Sequence, residues 1–229
     1  YPSEMRATRD LLRRRLYLVR KRAELLSHIQ NTHHQYNLEE PRAKVAYKAN
    51  RTGVAEAFSD ADSQKSMEIN LVLIEHQDRI IRELELHLVN RAKQHDPDAF
   101  HRLRSVPGIG KILAMTILYE VQDIRRFPRV QDFLSYARLV KCEHSSAGKK
   151  LGSGGSKIGN AHLKWAFSEG ASLFVRHSEE GQKMARRLQS KHGQSKGLSI
   201  LAAKLGRSVY YMLSREKAFQ MERFLGQAG

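Results

Sequence analysis

The 229-residue sequence predicts an all-α protein, in which a long coiled-coil helical region precedes a compact helical domain with a helix-hairpin-helix-like turn. Residues 4–34 and 63–95 contain no Gly or Pro, and both repeat apolar residues at helical spacing. No segment shows a convincing alternation of apolar and polar residues, which a half-buried strand requires. A Pro-containing break at residues 96–98 divides the chain into predicted domains at 1–97 and 98–229.

The first predicted helix covers residues 4–34. Its apolar residues recur at steps of three and four, which places them on one helical face. The members of this stripe are Leu11, Leu12, Leu16, Val19, Ala23, Leu26 and Ile29. The three arginines at 13–15 lie mainly off the stripe, so they either form a solvated face or contact phosphates, and the sequence leaves both interpretations open.

A second long helix is predicted from Ser63 to about His95, with Asp60 or Asp62 as its N-cap. Its apolar residues follow a spacing near the heptad. They are Met67, Leu71, Ile74, Ile81, Leu84, Leu88 and Val89. Two helices of this type predict either an antiparallel hairpin or a dimerising coiled coil. Residues 35–59 are expected to connect them, with a short helix near 54–58.

The domain at 98–229 opens with the stretch AFHRLRSVPGIGKILAMTILYEV, which predicts two helices joined by a Pro-Gly-Ile-Gly turn. Gly108 and Gly110 permit a tight turn and the close approach of another backbone. The free amides at the start of the second helix, with Lys111 beside them, would form a phosphate site. The alternative is a purely structural hairpin with Val106 and Ile109 in the core.

Four further helices are predicted in this domain, at 127–140, 159–177, 179–191 and 195–215. The segment between the first two, around 141–158, is rich in serine, glycine and lysine. By composition alone it is typical of a solvated loop. A serine nucleophile supported by phosphate-binding lysines is the second interpretation, because positive charge stabilises the oxygens that become anionic during attack on a phosphodiester.

The charge of the chain indicates a polyanionic partner, and nucleic acid is the favoured interpretation. The formal net charge is +16, and residues 98–229 carry 23 Lys and Arg against 10 Asp and Glu, a net charge of +13. A membrane surface is the weaker interpretation, since no basic amphipathic segment stands out. Cys142 is the only cysteine, which excludes an internal disulfide and a cysteine-based zinc site and favours the cytoplasm.

A metal-dependent catalytic centre is not expected within this chain. The ten acids of residues 98–229 are scattered and form no motif of converging carboxylates. His33 and His34 are adjacent on a helix, so their side chains point in different directions and are not expected to share a metal. The sequence begins at Tyr1 rather than Met, which raises the expectation that it is part of a longer polypeptide.

Ordered landmarks in the second domain resemble the transposases of IS110-type insertion sequences, a family that includes the Piv-type DNA invertases. They are PGIG, then DIRRF, then FLSYARL, then a serine followed by glycine and basic residues, then SKIGN with a helix beginning LKWA. The upstream long helices are similar to the coiled-coil middle region of that family. The resemblance therefore covers essentially the whole chain.

This resemblance implies a DNA transposase or recombinase that acts through a covalent serine–DNA intermediate. It implies homo-oligomers, DNA and a structured guide RNA as partners, and a nucleoid-associated location in a prokaryotic cytoplasm. It also implies a resolvase-like N-terminal domain, absent from these residues, whose four acids hold Mg²⁺; the chain alone is then expected to be inactive. The alternative is a non-catalytic nucleic-acid-binding and oligomerisation scaffold.

The family pattern places the nucleophile on Ser146, with Ser145 and Ser156 as rivals. Ala147 departs from the glycine of many relatives, which leaves this assignment open to the neighbouring serine. Ser156 and Asn160 precede a predicted helix and would also serve as N-caps. The residues predicted to bind nucleic acid are Gly108, Gly110, Lys111, Lys141, Lys149, Lys150, Lys157, Asn160 and Lys164.

Overall fold

The computed structural model describes residues 3–39, 41, 44–140, 145–146, 149–150 and 158–226. Within them the chain is helical apart from one pair of two-residue strands, so the predicted all-α class is confirmed. The chain divides into two compact units, one formed by Asp10–Leu88 and the other by Tyr1–Arg9 together with Val89–Gly229. The domain boundary predicted near residue 97 stays a prediction.

The two long helices that the apolar stripes predict are present. Helix α1 is Ser3–Gln35 and helix α2 is Ala61–His95. Of the two predicted caps for α2, Asp60 fills the position, because its Oδ1 accepts a hydrogen bond from the Ser63 backbone amide at 2.9 Å. The same bond lowers the pKa of the Asp60 carboxyl, since it favours the charged form.

The prediction of a short helix near residues 54–58 is wrong. The connection contains a single-turn 3₁₀ helix at Lys48–Asn50, and residues 52–57 form turns. The bonds from Val54 to Arg51 and from Phe58 to Ala55 span three residues instead of four. Val54, Ala55 and Phe58 are all buried, so their apolar character reflects packing into a core rather than helical periodicity.

The core of the first unit lies between α1, α2 and this connection. Its buried residues are Ile29, Val45, Val54, Ala55, Phe58, Met67 and Ile74. Ion pairs join Arg15 to Glu85 and Arg22 to Asp78, so the residue numbers rise along α1 while they fall along α2. This pairing is the antiparallel hairpin, one of the two alternatives that the sequence left open, and pairing between chains stays a prediction.

Asp78 ties three parts of this unit together. Its Oδ1 accepts from Arg22 Nε of α1 at 2.5 Å, and its Oδ2 accepts from Arg51 Nη2 of the connection at 2.6 Å. Burial raises the pKa of the Asp78 carboxyl, but the hydrogen bonds and charges of the two arginines outweigh it, and the pKa lies below its ordinary value of 3.8.

The described part of the second unit contains seven further α-helices, a single-turn 3₁₀ helix at Ile124–Arg126 and the strand pair. The helices are α3 (Pro97–Arg104), α4 (Lys111–Val121), α5 (Val130–Tyr136), α6 (Ala161–His177), α7 (Glu179–His192), α8 (Gln194–Ser214) and α9 (Met221–Leu225). Strand β1 is Ser145–Ser146 and strand β2 is Lys149–Lys150. Helix α6 contacts α4, α7 and α8, and α4 is buried from Leu113 to Val121, so these two helices form the centre of the unit.

Two helices differ from their predicted extents for local reasons. Helix α5 was expected over 127–140, but Arg129 before it is extended, and after it Arg138 adopts a left-handed φ of 56°. Helix α9 was not predicted, since five residues are too few to show a periodicity; its Phe224 is buried against Phe174. No helix in the described part of the chain has the length and apolar character needed to cross a membrane.

We predict that Asp78→Asn lowers the free energy of unfolding by about 2–3 kcal/mol, because Arg51 keeps its buried charge and loses its carboxylate. Fully buried pairs cost roughly 3–5 kcal/mol when broken, and the Asp78 side chain remains 26% exposed. Urea denaturation measures the change. Because the folded pKa is depressed, the stabilisation by Asp78 is present above pH 3.8 and is lost as the pH falls through the folded value, and the variant should lack this acid-dependent loss.

Glu68→Gln is the matched control, because Glu68 pairs with Lys65 on an exposed face of α2. Exposed pairs contribute little, so this variant should stay within about 1 kcal/mol of the parent. Equal effects of the two substitutions would contradict the role assigned to Asp78.

Candidate nucleic-acid interface

The residues on the two sides of the segment that carries the predicted nucleophile contact each other. The backbone amide of Asn160 donates a hydrogen bond to the Tyr136 carbonyl at 2.6 Å, and Arg138 Nε donates one to the Ile158 carbonyl at 3.0 Å. We call residues 136–139 and 158–160 the loop neck. Because these contacts join positions about twenty residues apart in sequence, they close the base of the loop between α5 and α6.

Asn160 is the centre of the loop neck. It is the N-cap of α6, and its Oδ1 accepts from the amides of His162 and Leu163 at 2.9 and 3.0 Å. Its Nδ2 donates to Glu120 Oε2 at 2.7 Å and to the Tyr136 hydroxyl at 3.3 Å. These four hydrogen bonds use both donor hydrogens and both acceptor positions of the Asn160 side-chain amide. The predicted N-cap is therefore present, and the predicted contact of Asn160 with nucleic acid stays a prediction.

Glu120 is the partner of Asn160, and the sequence analysis did not select it. It lies within the buried run of α4 and is only 4% exposed, although its domain has a net charge of +13. A buried carboxylate is unfavourable unless hydrogen bonds satisfy it, and Asn160 supplies one of them. The available signal was a single acidic residue at the end of the apolar stretch ILAMTILYEV.

The Pro-Gly-Ile-Gly turn has one packed glycine and one open glycine. Gly108 has a φ of 87°, and a Cβ there would lie 2.4 Å from the Phe174 amide nitrogen and 2.7 Å from the Gly170 carbonyl oxygen of α6. The close backbone approach at Gly108 is therefore made by α6 of the same chain. Val106 and Ile109 are buried, as the structural alternative expects.

The start of α4 is open beside this packed turn. Gly110 is the N-cap, has no side-chain cap, and would meet no described atom within 4 Å if it carried a Cβ. Lys111 follows it and is exposed. A helix start of this kind suits an anion, so the predicted nucleic-acid contact at Gly110 and Lys111 stays a prediction.

Arg126 is a second residue that the sequence analysis did not select. Its guanidinium lies 4.9 Å from the ring centroids of both Phe127 and Tyr136, which places it at the loop neck. It is exposed, as is Lys164 in the first turn of α6. Arg126 lies within the DIRRF landmark, so the motif contained the signal, but only the fold places it beside Tyr136.

The structure describes the predicted loop residues only in part. Strands β1 and β2 pair antiparallel, with Ser145 opposite Lys150 and Ser146 opposite Lys149. This ladder of two residues on each side leaves the all-α class unchanged. Lys141, Ser156 and Lys157 lie outside the described residues.

Within the described residues, no group of three or more His, Cys, Asp and Glu side chains is arranged to hold a metal ion. His33 is buried in the first unit, where its Nδ1 lies 2.9 Å from the Ile29 carbonyl and its ring packs edge-on against Phe58. Its neighbour His34 is exposed, so the two rings do not converge.

We predict opposite outcomes for alanine at the two glycines of the turn. Gly108→Ala should lower the free energy of unfolding by about 2–5 kcal/mol, because a left-handed φ and a Cβ pressed against the α6 backbone both oppose it. Gly110→Ala should cost about 1 kcal/mol at most, the difference between these residues at an N-cap. Chemical denaturation measures both, and similar losses would refute the division between a packed and an open glycine.

We predict that Asn160→Ala lowers the free energy of unfolding by about 2–4 kcal/mol. The variant loses an N-cap, worth about 1 kcal/mol, and removes a hydrogen bond from the buried Glu120 carboxylate, worth about 1–3 kcal/mol. Ser178→Ala is the control, since Ser178 caps α7 through the Gly181 amide at 3.0 Å. It should cost only about 1 kcal/mol. Unfolding curves that coincide for the two variants would count against the role of Glu120.

The chain is similar to known transposases over these elements. A family profile described as "Transposase IS116/IS110/IS902 family" matches residues 100–186, which run from α3 into α7 and include the turn and the loop neck. The chain is 26% identical to the "Transposase for insertion sequence element IS1111A" of Coxiella burnetii over 224 residues, which is 95% of the chain and 61% of that relative.

Two further relatives match shorter stretches at 26% identity. They are a "Probable family 20 transposase" of Pseudomonas aeruginosa, over 62% of the chain, and the "Transposase for insertion sequence element IS1328" of Yersinia enterocolitica, over 64%. The chain spans 41% and 43% of these relatives. With the profile match across the turn and the loop neck, these relatives show that the chain is similar to IS110-type transposases of insertion sequences.

Proposed function

We propose that this chain carries the strand-exchange site of a DNA transposase, with Ser146 as the nucleophile. Three relatives described as transposases support the activity. The net charge of +13 over residues 98–229 supports a polyanionic substrate. The family match covers the loop that holds Ser146 and the neck that closes its base.

In the proposed reaction, the Ser146 hydroxyl oxygen attacks a DNA phosphorus atom and gives up its proton. A serine–phosphate bond forms while one bridging P–O bond of the strand breaks, and the departing strand oxygen takes up a proton. Attack by the end of another strand reverses the step and frees the serine. The number of phosphoester bonds is conserved, so the exchange needs no nucleotide hydrolysis.

The observation that carries this proposal is the register of the short ladder within the loop. Ser146 stands opposite Lys149, and Ser145 stands opposite Lys150. Directly opposed residues are the closest neighbours across an antiparallel pair. A serine and a lysine in that relation suit attack on a phosphate, because the ammonium group would stabilise the added negative charge on the phosphate oxygens.

Several parts of the complete reaction would come from outside residues 1–229. We propose that a structured guide RNA selects the DNA, that copies of the chain assemble, and that a further segment supplies carboxylates for Mg²⁺. The described residues contain no acidic cluster suited to that ion. When bound, Mg²⁺ would neutralise charge on the reacting phosphate. Lys111 and Lys164, both exposed, would contact the nucleic-acid backbone.

The second candidate is a nucleic-acid-binding and oligomerisation scaffold without its own chemistry. The open helix start at Gly110 and Lys111 favours it, because such a site holds a phosphate and needs no nucleophile. Both candidates predict binding that weakens steeply with salt. Only the first predicts a covalent bond between protein and DNA.

Covalent trapping separates the two candidates. We predict that the complete protein with its guide RNA forms a protein–DNA adduct on a nicked suicide substrate, and that Ser146→Ala reduces the adduct about a thousandfold or more, since the nucleophile is lost. Peptide mapping of the adduct identifies the residue. Ser145→Ala and Ser156→Ala are the matched controls and should retain the adduct.

An adduct that survives in Ser146→Ala and disappears in one of these controls would move the nucleophile to that serine. If no variant or parent forms an adduct while DNA binding persists, the scaffold interpretation is correct and the strand-exchange proposal fails.

A further inference from the structure

A separate basic pocket lies between the C-terminal part of α8 and helix α9. We call it the α8–α9 pocket, and it has a volume of about 310 Å³, at the lower end of the range of roughly 300–1,000 Å³ that is usual for ligand sites. Its lining residues fall between Lys204 and Phe224, beyond the 100–186 range of the family profile. None of its lining residues belongs to the loop neck.

All the charged side chains that line this pocket are basic. Its twelve lining residues include five basic and no acidic side chains, and the basic ones are Lys204, Arg207, Arg215, Lys217 and Arg223. Glu216 lies in the same segment but approaches Arg102 of α3, at 3.8 Å. Five cations around one cavity repel one another, so an anionic ligand would stabilise them.

Aromatic side chains line the same cavity. Tyr211 is 37% exposed, and the Arg215 guanidinium lies 4.7 Å from its ring centroid. Phe219 and Phe224 also line the pocket, and their ring centroids are 5.4 Å apart. An exposed tyrosine beside an arginine provides the flat, cationic surface on which nucleic-acid bases stack.

Lys204 links the pocket to a longer basic groove. Its ammonium lies 4.9 Å from the Phe224 ring centroid, and burial, with a contribution from Arg187, lowers its pKa. The adjoining groove along α7 shares Lys204 and is also lined by Lys183, Arg187 and Lys191. This groove has a volume of about 910 Å³ and includes two acids, Glu180 and Glu222, so it is less positive than the pocket. Basic side chains therefore line both the pocket and the adjoining groove, as the binding of a strand longer than one nucleotide would require.

We propose that the α8–α9 pocket binds an unpaired nucleotide of a single-stranded nucleic acid, with the base stacked on Tyr211 and the backbone phosphates held by Arg207, Arg215 and Lys217. A paired duplex would present phosphates but no free base face, so single strands should bind here in preference. This binding goes beyond strand exchange at Ser146 and does not require it.

The test measures binding of the 229-residue chain to fluorescent oligouridine, to oligothymidine and to a DNA duplex of equal length, at one salt concentration. Tyr211→Ala should weaken binding of the single strands about tenfold, the size expected when a stacking ring is removed. Tyr211→Phe keeps the ring and should bind within about twofold of the parent. Arg82→Gln removes an exposed charge from the other unit and should leave the preference for single strands unchanged.

The two single strands distinguish the source of the ligand, since tighter binding of one identifies RNA or DNA and either result supports the pocket. Equal binding of parent and Tyr211→Ala, or an equal loss on the duplex, would overturn the proposal and leave a general polyanion surface. Circular dichroism of the variant checks its fold.

A second measurement needs no substitution in the pocket. Oligouridine carrying 5-iodouridine crosslinks to aromatic side chains in contact with the base, and peptide mapping should locate the crosslink on Tyr211 or Phe219. A bound oligonucleotide that crosslinks only elsewhere would refute the proposal. The Ser146→Ala variant should give the same crosslink. The experiment therefore distinguishes a failure of the pocket proposal from a failure of the nucleophile proposal.

Discussion

The hydrogen bond between Asn160 and Glu120 is the interaction on which the proposed reactive loop depends. It satisfies a carboxylate that is 4% exposed, and the same amide caps α6 and contacts Tyr136 at the end of α5. Helix α4 thus determines where α6 begins, and both ends of the loop are fixed by one polar group. A buried polar network of this kind is favourable only when its members are satisfied, so the position of the loop base is closely specified.

In the second unit, one acidic side chain is buried while several basic side chains are exposed. The carboxyl group of Glu120 is buried, where it accepts a hydrogen bond from the Asn160 side chain, whereas cations such as Lys111, Arg126 and Lys164 are exposed. This arrangement suits a protein that binds a polyanion without losing its own internal hydrogen bonds. The proposed chemistry at the loop and the proposed base stacking at the α8–α9 pocket then use different properties, since one requires a hydroxyl beside positive charge and the other requires an aromatic surface.

Long elements were predictable because their signal is repeated many times. The stripes of α1 and α2 extend over several turns, and the observed helices agree with them within two residues at each end. Short elements were not predictable. Val54, Ala55 and Phe58 are apolar because they fill a core, and α9 is marked only by the packing of Phe224 against Phe174. In the site, the cap at Asn160 was visible in the sequence, but its partner Glu120 is forty positions away and carries no local pattern.

The sequence by itself determined the helical class, the strongly basic second half, the Pro-Gly-Ile-Gly turn and the landmarks of the transposase family, since each depends on composition or short-range spacing. The tertiary structure decided which polar groups form hydrogen bonds within the protein and which positions stay open. It assigned Gly108 to close packing against α6, left Gly110 open, engaged the Asn160 side chain internally, and gathered Tyr211, Arg215 and Phe219 around one cavity. These outcomes depend on contacts between residues distant in sequence, and burial by such contacts decides whether a polar group serves the fold or a ligand.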